Sequence, residues 1–120
     1  MSLFALIAGS VRAVADKHAD QSAVIGFDIN LLNAAGLQGP PDGLRALDYE
    51  FCIPADPAFR EEVAVIDPSA RFLPGSRGRI RCAADQVLVL GNTHQARFRE
   101  ILLRLAGLPY VVRISEAVFE

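Results

Sequence analysis

Asn92, Thr93, His94 and Gln95 follow Gly91 where an apolar run ends and a helical pattern begins. A glycine at such a junction lets the backbone approach a ligand closely. The free N–H groups of a helix start attract anions. His94 and Gln95 add side-chain donors, so these four residues are the first candidates for binding a small anionic ligand. Thr93 is equally suited to the plain role of helix N-cap.

The second candidate is the row Arg77, Arg79 and Arg81. Alternate residues of an extended segment share a face, so three guanidinium groups would point one way. That row suits carboxylate or phosphate groups. An edge strand blunted by charge would carry the same pattern. No acidic residue lies between Pro68 and Ala84.

Other chemistry is sparse. His18 and His94 are far apart, and no paired His or Cys motif accompanies them, so no metal site is expected. A lone His94 could still ligate a haem iron. Asp48 and Glu50 share a strand face and read as an exposed pair. No P-loop, dinucleotide fingerprint or nucleophile elbow is present. No catalytic residue and no cofactor is therefore assigned. Cys52 and Cys82 are too few for a disulfide scaffold and read as small buried apolar groups.

The elements that must position these residues follow from periodicity. Phe4, Ile7, Val11 and Val14 lie on one helical face, which predicts a helix over residues 2–18. Residues 21–37 fit either a helix or a strand. Gly39-Pro40-Pro41-Asp42-Gly43 breaks the chain. From Leu47, apolar residues alternate through Tyr49, Phe51 and Ile53, the mark of a half-buried strand. Asp56-Pro57 opens a helix that Asp67-Pro68 closes. Residues 77–82 read as a second strand. Residues 86–90, QVLVL, read as a central strand buried on both faces. A helix follows with Phe98, Ile101, Leu102 and Leu105 inward, and residues 110–119 form the last strand.

The order strand, helix, strand, strand, helix, strand predicts an α+β fold over residues 46–120. It resembles the ferredoxin-like βαββαβ superfold: a four-stranded antiparallel sheet in the order 4-1-3-2, with two helices on one face. Residues 1–45 form an N-terminal helical arm. Since QVLVL is apolar on both sides, the face opposite the helices needs a cover, either that arm or a second copy of the chain. In the expected order one strand separates the strands of Cys52 and Cys82. Their Cα atoms then lie about 9–10 Å apart, and a Cys52–Cys82 disulfide would refute that order, since bonded pairs span roughly 4.4–6.8 Å.

The 120 residues carry a net charge of −2, which argues against a general nucleic-acid binder. The aromatic platform of a single-stranded RNA binder is missing from the arginine strand. Lys17 is the only lysine, a bias that a GC-rich bacterial genome would produce. No membrane span is expected, nor a secretory signal, since no basic stretch precedes the apolar start; the expected place is the cytoplasm. The resulting expectation is a non-enzymatic regulatory or interaction module, a possible homodimer, binding a small anionic ligand or an acidic protein partner. The alternatives are a small dimeric enzyme or haem protein using His94, and a structural subunit of a larger assembly.

Overall fold

The structure is a computed structural model that describes residues 23–118. The helix expected over residues 2–18 lies outside them. The strands are β1 (Val24–Ile25), β2 (Leu37–Gln38), β3 (Arg45–Ala46), β4 (Asp48–Pro54), β5 (Arg71–Leu73), β6 (Gln86–Asn92) and β7 (Arg113–Glu116). The helices are α1 (Pro57–Ile66) and α2 (Phe98–Ala106), with a short 3-10 turn at Ile29–Leu31. Five strands form one sheet in the order β1-β7-β4-β6-β5, and β2 with β3 forms a separate antiparallel ribbon. The fold is α+β, with two helices and a mixed sheet.

The central pair explains the layering. β4 and β6 are antiparallel, with Phe51 opposite Val89 and Ile53 opposite Val87. These residues and Tyr49 face both helices, where Val63, Ile66, Phe98, Ile101, Leu102 and Leu105 complete one core. Asp56 caps α1 through a hydrogen bond from the Ala58 N–H (2.9 Å), and Pro57 occupies the first turn. The alternate residues of the two strands, Cys52, Leu88 and Leu90, face the other way.

Four features depart from the expected sheet. It has five strands rather than four, because β1 adds in parallel to β7. The described part of the 21–37 segment supplies the short strand β1, the 3-10 turn and the start of β2, and Ala23 and Leu32 join the core. The last strand is confined to Arg113–Glu116. Residues 77–82 are not a strand. Gly75, Gly78 and Arg81 have φ of 84°, 67° and 65°, values that break any extended run. The second strand of the pair is instead Arg71–Leu73, on the far side of β6.

Cys52 and Cys82 form a disulfide with 5.5 Å between Cα atoms. It excludes residues 77–82 as a strand two places from β4. Cys82 lies in a loop, residues 74–85, that folds back over the sheet. The loop carries Ile80 and Cys82 onto Leu88, Leu90, Cys52, Leu73 and Ala117. Among the described residues, this flap covers the face opposite the helices, the role assigned from sequence to the arm or a second copy. The alternation of arginine with Ile80 and Cys82 reflects outward and inward residues, but along a turn rather than a strand.

The bridge spans a sequence separation of 30. Constraining the unfolded chain over that length is worth about 3.6 kcal/mol. The double variant Cys52→Ala/Cys82→Ala is expected to lose about 3–4 kcal/mol in urea denaturation while keeping its secondary structure by circular dichroism.

Candidate functional site

The flap is built from short-range bonds. The Cys82 N–H donates to Arg77 O (2.8 Å) and the Arg81 N–H to Gly78 O (3.2 Å). The Arg77 Nε–H donates to Cys82 O (2.8 Å), closing the loop on itself. Besides the disulfide, contacts at Ile80 and Gly78 hold it to the sheet. The Ile80 N–H donates to Glu50 Oε2 (2.9 Å). Gly78 lies so close to the sheet that a β-carbon there would sit 2.8 Å from a Leu88 methyl and 2.9 Å from Glu50 Oε1. With φ positive as well, only glycine fits this position.

Glu50, expected to be exposed beside Asp48, is buried at 4% exposure. Its carboxylate becomes an anchor for the flap. Arg77, Arg79 and Arg81 all remain exposed on the flap's outer side. Beside it, Cys52, Ile80, Gln86, Tyr110, Val112 and Arg113 line a shallow cavity of about 160 Å³.

The junction after β6 is differently employed. Thr93 is fully buried and does not cap α2, which starts at Phe98 after Arg97 in a left-handed conformation. Its hydroxyl donates to Gly36 O (2.6 Å) and accepts from the Leu47 N–H (2.9 Å). Gly36 touches the Thr93 carbonyl so closely that any side chain would collide with it. Asn92 donates from Nδ2 to Asp48 Oδ1 (2.8 Å) and accepts the His94 N–H at 2.7 Å. His94 is exposed, with Nδ1 3.2 Å from Ala35 O. Gln95 donates from Nε2 to Asp67 Oδ1 (3.2 Å), Ser69 Oγ (3.1 Å) and Asn92 O (2.9 Å).

Gln95 thereby joins a buried polar group that sequence reasoning missed. The Tyr49 hydroxyl donates to Asp67 Oδ2 (2.5 Å), and Asp67 Oδ1 accepts from the Ser69 N–H (2.9 Å) and Oγ–H (2.7 Å). Ser69 Oγ accepts the Asn92 N–H (3.0 Å). Each of these polar atoms has a partner, so the cluster ties the end of α1 to the end of β6. Gly91 makes room for it, because a β-carbon there would overlap the Tyr49 ring. The sequence signal was Asp67-Pro68-Ser69, an Asx-type turn read only as a helix stop.

Burial, then the neighbouring Asp67 carboxylate and its hydrogen bond, push the Tyr49 hydroxyl far above its ordinary 10.0. Burial and the Glu62 carboxylate push Tyr110 the same way, through a 2.6 Å hydrogen bond.

The expected site residues therefore fall into two groups that the fold keeps apart. Thr93 and Gln95 turn toward the helix side, bound to structural partners. The arginines stand on the flap over the opposite face. No family model matches the chain, and neither does any curated protein or solved structure compared with it.

Thr93→Val keeps the shape but leaves the Leu47 N–H without its acceptor. It is expected to cost about 2 kcal/mol in chemical denaturation. For Tyr49 the folded pKa is raised, so its contribution is complete below the unfolded value of 10.0 and is lost as pH rises above it. Stability should fall above about pH 10 with a Tyr49 share near 1.4 kcal/mol per pH unit. Urea titrations across that range should show the slope, reduced by that share in Tyr49→Phe.

Proposed function

We propose that this chain is a non-catalytic binding module whose cationic flap docks an acidic protein surface. The observation that carries the reading is the display of Arg77, Arg79 and Arg81 on a loop anchored by the Cys52–Cys82 bond and the Glu50–Ile80 contact. Ordering a loop is a principal cost of association, and here that cost is met during folding. Guanidinium groups recognise carboxylates in pairs of hydrogen bonds. A cluster of like charge also speeds encounter with an opposite surface.

The small-anion reading rests on Asn92, Thr93, His94 and Gln95, and it is weaker. The Thr93 hydroxyl and the Gln95 amide already serve Gly36, Asp67 and Ser69. His94 sits on the surface against Ala35 O.

Binding of a fluorescein-labelled poly-glutamate peptide tests the proposal by anisotropy. Binding should weaken as salt is raised. Arg77→Glu/Arg81→Glu should lower affinity by about tenfold or more, while Arg104→Gln, on α2, should leave it unchanged. Equal affinity in the wild-type and flap variants would remove the flap from the interaction.

A further inference from the structure

We infer that the Cys52–Cys82 disulfide is a reversible latch: oxidation closes the flap and reduction releases it. The inference rests on the proposed docking role only for what the latch would regulate.

The bond holds two things of unequal stability together. On one side is β4, central in the sheet and paired to β6 along seven residues. On the other is a flap without helix or strand, exposed along most of its length and held by the Glu50 hydrogen bond, by those of Ala83 and Asp85 at its end, by the apolar contacts of Ile80, and by internal turns. Segments with few buried contacts and solvent-exposed hydrogen bonds open locally at low cost. The main core lies on the opposite face of the sheet, among Tyr49, Phe51, Val89 and the helices, and includes neither cysteine. Losing the bond should therefore free the flap without melting the fold.

The two sulfurs are unequally accessible. Cys82 is fully buried, whereas Cys52 is half-buried and lines the cavity shared with Gln86 and Arg113. A reductant's thiolate would enter there. The thiolate of a dithiol attacks Cys52 Sγ, a new S–S bond forms, and the Cys52–Cys82 bond breaks. The electron pair leaves on Cys82, which takes up a proton. The reductant's second thiol then displaces Cys52 as a thiol and leaves the reductant as its own disulfide. Two electrons and two protons pass to the protein, and a small-molecule or protein disulfide reverses the step.

Opening would uncover Leu88, Leu90 and Ala117 and would dissolve the fixed spacing of the three arginines. In a reducing compartment the dithiol form is the expected one. The docking face would then be assembled only on oxidation.

Limited trypsin digestion reads the latch directly, since Arg77, Arg79 and Arg81 are cleavage sites within the flap. The oxidised protein, the protein reduced with dithiothreitol and then freed of it, and Cys52→Ala/Cys82→Ala are compared by mass spectrometry. Flap cleavage should rise by about tenfold or more in the last two, with Arg104 and Arg113 still protected, and treatment with oxidised glutathione should restore resistance only where both cysteines are present. Equal flap cleavage in oxidised and reduced protein would overturn the latch. So would flap cleavage that appears only together with cleavage at Arg104 and Arg113, because the bond would then brace the whole fold. A bond that persists in a large excess of reduced glutathione would also overturn it, as a static brace. Poly-glutamate binding is measured on the same three samples. Trypsin behaviour as expected with no poly-glutamate binding in any sample defeats the docking role and leaves the latch standing.

Discussion

Strand β6, paired along its length with β4, is apolar on both of its faces, and the other elements are placed by that requirement. Phe51, Ile53, Val87 and Val89 on one side are covered by α1 and α2. Leu88 and Leu90 on the other cannot be left in water. Burying such side chains is worth roughly 1.5–3 kcal/mol each, which offsets part of the cost of ordering a loop. The chain meets the need locally. Residues 74–85 leave β5, cross the face, and return into β6, so the cover is contiguous in sequence with the strand it covers.

A loop used as cover must satisfy its own backbone while lying on apolar groups. Glu50 serves that end by accepting the Ile80 N–H from inside the sheet face. Gly78 serves it by bringing the backbone into contact with Leu88. The disulfide then joins loop to sheet covalently. The outcome is a flap with an apolar underside and a cationic outer side, and the outer side is where the proposed docking function is sought.

The polar groups at the other end of the sheet show a different economy. Thr93 ties β6 to the segments around Gly36 and Leu47, and Tyr49, Asp67, Ser69 and Gln95 tie it to the end of α1. A buried polar network is stabilising only when every member is paired, and here the pairs are made. Residues whose types suggest ligand chemistry are thus largely engaged in holding loops to the sheet.

Sequence alone determined the elements whose signals are local. Asp56-Pro57 marked the start of α1, the alternation of Tyr49, Phe51 and Ile53 marked β4, and QVLVL marked a central strand needing cover on both sides. Each rests on periodicity or capping, which act over a few residues. Tertiary structure decided what supplies the second cover and which residues are free to act. The Arg77 to Cys82 alternation has the period of a strand, and only the positive φ of Gly78 and Arg81 turns it into a flap. The bond between Cys52 and Cys82 depends on where that flap lands, a contact between residues 30 apart that no local pattern encodes. Thr93 has the chemistry of a helix cap, yet its hydroxyl is claimed by Gly36 and Leu47, far away in sequence. The same side chains support several local roles, and long-range packing selects among them.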